Sequence, residues 1–427
     1  MLFLPLVIRD SYKIMIRILH TADWHLGQTF FGYDRTEEHG VFLNWLAEEI
    51  RQKEIDALII AGDVFDVSNP SAASQSMYYQ FIYRVTAENP YLQIVIVAGN
   101  HDSAARLEAP NPLLEEMNIT VRGVVKRDAD GDIDLAHLII PIYKPGAGRS
   151  QADININDIA AFCLAVPYLR QGDYPPAENY AQGVQTLYRQ LFAELRDEGK
   201  PVIAMGHLQA TGSEISDDDR SERTVIGGVE GISPDAFDAQ IIYTALGHLH
   251  RPQRVSGREN VRYSGAPIPM SFSEKGYRSS VVMVEYEEDK TQIHQIDVPP
   301  YVRLLSIPDR PAVLEEVLEA IHELPDGEIN ARSPYLEVKI QMTEPDTSYK
   351  YKIESALQGK SVRLARVVAV MPVQKESGLR AVSYEELRGI RPLDVALDYY
   401  KRKYDEQEMP AAMKELLQEV ISEAGKE

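Results

Sequence analysis

Ile94-Val95-Ile96-Val97-Ala98-Gly99-Asn100-His101-Asp102 is an apolar, β-branched run that breaks at a glycine into three polar side chains. Such a run predicts a buried strand, and in open α/β sheets ligands bind where the chain leaves the carboxyl ends of the strands. Four further stretches have the same form. Asp23-Trp24-His25 follows Ile16 to Leu19, Gly62-Asp63 follows Ala57 to Ala61, Gly206-His207 follows Val202 to Met205, and Gly247-His248-Leu249-His250 follows Ile241 to Leu246. As strands of one sheet, these runs would deliver all five polar signatures to one edge.

The side chains delivered are Asp, Asn and His without Cys, and that mixture of oxygen and imidazole donors suits a hard or borderline divalent metal. They are too many for one ion. A pair of metals sharing a carboxylate fits the number, and two ions roughly 3.5–4 Å apart are the usual device for hydrolysing phosphate esters.

Between the signatures the periodicity changes. Glu37 to Gln52 places Val41, Phe42, Trp45, Leu46 and Ile50 at helical intervals, and Ser71 to Val85 does so with Met77, Tyr78, Phe81, Ile82 and Val85. This β-α-β alternation predicts an α/β fold with parallel strands and right-handed crossovers. Pro110 to Met117 and Tyr180 to Glu198 read as further helices, and Val121 to Pro145 as short strands joined by the turn Asp128-Ala129-Asp130-Gly131-Asp132. Val261-Arg262-Tyr263 and Ser280 to Tyr286 are strand-like. Pro299-Pro300 marks a boundary, after which a strand (Tyr301 to Ile307), a helix (Pro311 to Leu324), a strand (Tyr335 to Met342), a helix (Ser348 to Leu357) and a strand (Arg363 to Pro372) predict a small α+β domain. From Leu393 the chain is rich in charge and helix formers.

With 44% hydrophobic residues, 427 residues bury a substantial core and suggest two domains with an appendage. The single cysteine, Cys163, excludes an internal disulfide, fits a reducing, cytoplasmic compartment, and reads as a small buried residue on the strand Phe162 to Val166. Met1-Leu2-Phe3-Leu4-Pro5-Leu6-Val7-Ile8 lacks the basic start and small-residue cleavage site of a signal peptide and is too short to span a bilayer. Met15 directly precedes the first strand, so residues 1–14 are expected to be a dispensable extension. The net charge of −21 counts against a chain that grips nucleic acid alone, because Lys and Arg neutralising phosphates dominate non-specific affinity. Metal ions at the site and a partner's surface could supply the missing positive charge.

The five signatures, in order, resemble the calcineurin-like metallophosphoesterases, whose pattern is D-x-H, G-D, G-N-H-[DE], G-H and G-H-x-H. The longer phrases Ile18-Leu19-His20-Thr21-Ala22-Asp23-Trp24-His25-Leu26-Gly27-Gln28, Ala61-Gly62-Asp63-Val64-Phe65-Asp66, Tyr243-Thr244-Ala245-Leu246-Gly247-His248-Leu249-His250 and Arg262-Tyr263-Ser264-Gly265-Ala266-Pro267-Ile268-Pro269 resemble the double-strand-break repair nucleases within that superfamily. The likeness is dense from Met15 to about Tyr286 and only architectural beyond Pro300. It implies a metallophosphoesterase β-sandwich flanked by helices over 15–298, a smaller α+β capping domain over 299–375, and a helical tail over 376–427 that docks on a coiled-coil ATPase.

The resemblance also implies a ligand set. One metal would be held by Asp23, His25, Asp63 and His250, and the second by Asp63, Asn100, His207 and His248, with Asp63 bridging. Manganese is the favoured ion, with iron, zinc and magnesium left open. His101 would be the general acid that protonates the leaving sugar oxygen, a role suited to an imidazole titrating near neutrality. The implied activity is 3′→5′ double-strand exonuclease and single-strand or hairpin endonuclease in DNA repair, replication and recombination, cytoplasmic at the nucleoid and without a membrane. The helices Ser71 to Val85 and Pro110 to Met117 would build a homodimer, and hence a heterotetramer with the ATPase, or only cover the sheet.

Other readings stay open: a metallophosphatase acting on a phosphoprotein or small phosphodiester, or a non-catalytic scaffold for the ATPase. Asp102 would orient His101 or cap the following helix. His20 would make a structural hydrogen bond or support the ligands, and Ser264 and Gly265 would form a tight turn. Arg35, Arg106, Lys275 and Arg278 read as surface near the signatures, and His39, His137, His294 and His322 have no assigned role.

Overall fold

In a computed structural model, which describes residues 15–146, 156–214, 231–342 and 348–371 with a few positions between 397 and 417, each of the five apolar runs is a strand. The extension over 1–14, the acidic stretch Asp217-Asp218-Asp219 and nearly all of the helical tail lie outside the described residues.

The five strands do not share one sheet, which corrects the single-edge expectation. Ile16–Thr21, Ala57–Ala61 and Gln93–Val97 run parallel in a six-stranded sheet ordered 290–297, 280–287, 16–21, 57–61, 93–97, 119–122. Val202–His207 and Ile241–Gly247 run parallel in a second six-stranded sheet ordered 253–254, 261–263, 241–247, 202–207, 159–165, 139–143. The sheets face each other. Ile16, Ile18, Ile59, Val95 and Val97 of the first meet Cys163, Ile203, Met205, Tyr243 and Ala245 of the second in one buried cluster.

The alternate residues of the same strands face outward under helices. Leu19, Leu58, Ile60, Ile94 and Ile96 pack beneath the helices Thr36–Gln52 and Ala72–Glu88, with Phe42, Leu46, Phe81 and Val85. Leu164, Ala204 and Leu246 pack beneath the helix Tyr180–Leu195. Burial on both faces explains why these strands read as unbroken apolar runs rather than alternating ones. The segment read as one helix from Pro110 is a short helix, Asn111–Leu114, continued by a 3₁₀ turn, Glu115–Met117.

Val121 to Pro145, expected as short strands, includes the short helix Leu135–Leu138, and further elements carried no sequence signal. Lys290–Asp297 is an edge strand. Thr29–Phe30 and Tyr33–Asp34 form a hairpin whose central residues, Phe31 and Gly32, have φ of +50° and +86°, the positive pair of a type I′ turn.

Beyond Pro300, Leu304–Ala312, Tyr335–Gln341 and Arg363–Val370 form a three-stranded parallel sheet crossed by the helices Leu314–His322 and Tyr349–Ala356. Phe30 of the hairpin, Phe272, Val302, Leu304 and Tyr335 join it to the sandwich in a buried aromatic cluster. Arg35 sits at this junction, 2% exposed, which corrects its reading as surface. It grips Glu38 at 2.9 and 3.3 Å, donates to the Pro269 carbonyl at 2.7 Å, and Tyr335 Oη donates to the same Glu38 carboxylate at 2.7 Å. Among the described residues no helix is long and apolar enough to cross a membrane.

Candidate metal centre

The first two signatures are stitched together past the ends of their strands. Asp23 N donates to Gly62 O, His25 N to Asp63 O and Leu26 N to Val64 O, each at 3.0 Å. Between Asp23 and His25 the chain turns Trp24 the other way, into the helical layer, where it packs on Phe42 and Phe81 and its indole N–H donates to Thr21 Oγ1 at 2.9 Å. One buried aromatic therefore aims both flanking polar residues at the site. Asp23, His25, Asp63 and His248 all have positive φ, of 55°, 45°, 50° and 102°. Each such backbone costs on the order of 1–3 kcal/mol and persists because its surroundings fix it.

The expected residues converge although they come from two sheets. Asp23, His25 and His250 offer one group of converging donor atoms, and Asp23, Asp63 and His207 another. Asp23 is common to both groups, and Asp63 Oδ2 lies 3.2 Å from His207 Nε2 in its own group and 3.7 Å from His25 Nε2 in the other. Asn100 Oδ1 accepts from His207 Nε2 at 2.9 Å and from His248 Nδ1 at 3.1 Å, and His248 N donates to Asp23 Oδ1 at 2.9 Å.

Three of these imidazoles are held by Nδ1, which turns Nε2 toward the others. His207 Nδ1 donates to the Ala61 carbonyl at 2.9 Å, His250 Nδ1 lies 3.0 Å from Glu274 Oε1, and His25 Nδ1 lies 3.4 Å from Asp66 Oδ1. A carboxylate or carbonyl on the far nitrogen is how proteins orient metal-binding histidines and raise their basicity. Sequence reasoning missed Glu274 and Asp66: no spacing rule links Glu274 to His250, and Asp66 is merely the last residue of a quoted phrase. The glycines leave room for this crowding. A Cβ on Gly99 would stand 2.1 Å from Asp63 Oδ1, and one on Gly247 would stand 2.0 Å from the Ala61 carbonyl.

His101 stands at the rim, its ring 4.8 Å from that of His25. Its backbone N–H donates to Asp63 Oδ1 at 2.9 Å and its Nδ1 to the Asp66 carbonyl at 2.8 Å. Asp102 does neither thing expected of it. Its buried carboxylate accepts from Gly99 N, Val64 N and Phe65 N at 2.9, 3.2 and 3.0 Å, tying the second signature to the third, because two loops leaving adjacent strands expose N–H groups there. Burial and the nearby Asp63 push its pKa up to about 6. Ser264 is buried, and Gly265 has the positive φ of a tight turn. His20 lies outside the donor groups and bonds Tyr243 Oη through Nδ1 at 2.9 Å.

The electrostatics mark where cations belong. Burial alone would raise the Asp63 pKa, but His207, His25 and His101 outweigh it and hold the carboxyl well below the usual range. Burial would lower His207, but Asp63 and Asp23 push it up to about 9. His248 is driven down to about 3, by burial first and by the neighbouring His207 next. Asp23 Oδ2 and His25 Nε2 are buried without a hydrogen-bond partner. Orphaned oxygen and imidazole donors converging on a shared carboxylate fit divalent metal ions.

Residues 16–252 match the family described as calcineurin-like phosphoesterase, and residues 300–404 match the type 5 capsule protein repressor C-terminal domain. Fold and site together define a calcineurin-like phosphoesterase, a fold class that binds divalent metal. The chain is 38% identical over 371 residues to SbcD of the SbcCD nuclease of Rhodobacter capsulatus, covering 84% of this chain and 88% of the relative. It is 30% identical over 427 aligned residues to the SbcD of Escherichia coli, covering 95% and 97%. The chain belongs to the SbcD family of SbcCD nuclease subunits.

Proposed function

We propose that this chain is a two-metal DNA phosphodiesterase, a 3′→5′ double-strand exonuclease and single-strand or hairpin endonuclease that works with an SbcC-like coiled-coil ATPase in DNA repair, replication and recombination. The observation that carries the reading is the gathering of six donor residues from two sheets around Asp63, with three imidazoles anchored through Nδ1. A scaffold has no use for that arrangement. Membership of a family of nuclease subunits favours DNA over a phosphoprotein.

Asp23, His25, Asp63 and His250 would hold one ion, and Asp63, Asn100, His207 and His248 the other. Manganese suits these donors, with iron, zinc and magnesium as alternatives. Two such ions, when bound, lower the pKa of the attacking water and stabilise charge on the phosphoryl oxygens. His101 protonates the departing sugar oxygen from Nε2 while Nδ1 stays on the Asp66 carbonyl. Asp63 fixes His101 in turn through its backbone N–H, so acid and donors share one frame.

The domains are assigned as a nuclease domain over 15–298, a capping domain over 299–375 that positions DNA, and an ATPase-docking tail over 376–427. Tyr79, Tyr83 and Leu113 leave apolar surface on the helices after the second and third signatures, which supports a homodimer and thus a heterotetramer with the ATPase. The complex would act in the cytoplasm, at the nucleoid. Turnover of linear duplex DNA against a phosphopeptide, both with Mn²⁺, tests the reading. Cleavage of DNA alone supports it; turnover of the phosphopeptide alone replaces it with the phosphatase.

A further inference from the structure

The chain leaving the strand Ile159–Ala165 carries none of the five signatures, yet it ends beside them. There, in Val166-Pro167-Tyr168-Leu169-Arg170, the Tyr168 N–H donates to the Ala98 carbonyl at 2.8 Å, immediately before Gly99-Asn100-His101. Val166 N donates to Met205 O at 3.3 Å, two residues before His207, and Leu169 is buried. The backbone is thus fixed to two signature-bearing strands at once. The side chains are not consumed by packing: Tyr168 is half-buried and Arg170 exposed.

Their geometry faces the second group of donors. The Tyr168 ring lies edge-on to His207, centroids 6.2 Å apart at 75°, and the Arg170 guanidinium lies over the Tyr168 ring, 5.7 Å from its centroid. Among the described residues the Arg170 backbone N–H donates to Asp173 Oδ2 at 2.8 Å while its guanidinium has no carboxylate partner, and the Tyr168 hydroxyl has no bonded group. The chain holds 65 acidic residues against 44 Lys and Arg, so an arginine left unpaired beside a phosphoesterase centre calls for an anion from outside.

An aromatic ring with a fork of N–H donors over it matches one chemistry, a nucleotide. Bases stack on aromatic rings whatever their identity, and guanidinium binds phosphate oxygens in pairs. We propose that Tyr168 and Arg170 form a nucleotide subsite of this centre, which rests on the nuclease reading above. The base flanking the scissile phosphate on the His207 side stacks on Tyr168, and Arg170 holds the next phosphate. A paired base inside a duplex cannot present its face, so the subsite selects splayed ends, loops and single strands.

Steady-state cleavage of an end-labelled single-stranded oligonucleotide with Mn²⁺ tests this. Tyr168→Leu should raise KM by about 5–150-fold, the range that base–aromatic stacking supplies, and leave kcat nearly unchanged. Tyr168→Trp should restore KM. An abasic nucleotide at the stacked position should weaken the wild type to the level of Tyr168→Leu and leave that variant unaffected. Arg170→Ala should raise KM and flatten its salt dependence. Independently of turnover, 2-aminopurine at that position, bound in Ca²⁺ buffer, should be quenched by the wild type and not by Tyr168→Leu.

Loss of Mn²⁺ binding in Tyr168→Leu, read by calorimetry, or an equal abasic penalty in both proteins, overturns the subsite. So does unaltered DNA cleavage by Tyr168→Leu. A wild type that hydrolyses bis(p-nitrophenyl) phosphate but no DNA overturns the nuclease reading and the subsite together.

Discussion

His101 Nδ1 donates to the backbone carbonyl of Asp66 at 2.8 Å, while the carboxylate of Asp66 stands 3.4 Å from His25 Nδ1. One residue therefore orients both the proposed acid and one of the proposed ligands, through different atoms. The two functions are separable. His101→Gln should lower DNA cleavage by about 10²–10⁴-fold with the metal content unchanged. Asp66→Ala keeps the carbonyl but loses the carboxylate, and should weaken Mn²⁺ binding by about 10–100-fold. Kinetics with calorimetry on both variants decides it; loss of metal from His101→Gln would contradict the division.

Glu274 stands to His250 as Asp66 stands to His25, but it is buried and also accepts from Met270 N at 2.7 Å. Glu274→Ala should lose Mn²⁺ affinity by about 10–100-fold, with Glu274→Gln in between because an amide oxygen still accepts from His250. Equal affinity in all three proteins would remove Glu274 from the site.

Two glycines should respond in opposite directions to the same added methyl. At Gly99 it collides with Asp63 Oδ1, so Gly99→Ala should cost about 1–3 kcal/mol and displace the shared carboxylate. At Gly40, inside the helix Thr36–Gln52, nothing lies within 4 Å, so Gly40→Ala should stabilise by up to about 1 kcal/mol through helix propensity. Urea unfolding and Mn²⁺ titration check both.

Stability should fall in mild acid through a buried imidazole, His20. Burial drives His20 down to about 3, against an unperturbed value near 6.5. Between those values the unfolded chain binds a proton that the folded chain refuses, so stability is full above about pH 6.5 and drains as pH falls toward 3. From pH 7 to pH 5 this amounts to roughly 1–2 kcal/mol. Urea unfolding of chelated protein at both values should show the loss, with a shallower slope in His20→Gln. Equal slopes would place the proton elsewhere.

Metal uptake should release protons. The imidazolium of His207, held near pKa 9 by Asp63 and Asp23, must deprotonate before Nε2 can ligate. Calorimetry in buffers of different ionisation enthalpy at pH 7 should report about one proton released per chain from this group.

The strands and the donors were legible in the sequence because burial on both faces makes strands such as Ala57–Ala61 unbroken apolar runs, each followed at once by polar residues. Their division between two sheets was not, since nothing in Val202 to Met205 tells which sheet it joins. Lys290–Asp297 went unread because, as a largely exposed edge strand, it offers only Ile293 and Ile296 as apolar residues. Glu274, Asp102 and Arg35 act through neighbours brought together by folding rather than by spacing, so their roles emerge only in three dimensions. Tyr168 was invisible for the same reason: its partner, His207, lies on the next strand.

The most direct test is cleavage of end-labelled duplex and hairpin DNA with and without an SbcC-like ATPase, comparing wild type in Mn²⁺, wild type stripped by EDTA, and Asp63→Asn in Mn²⁺. Cleavage by the first alone, with Asp63→Asn still folded, is the predicted result. DNA cleavage by the stripped protein at the wild-type rate would contradict a centre built on ions shared at Asp63.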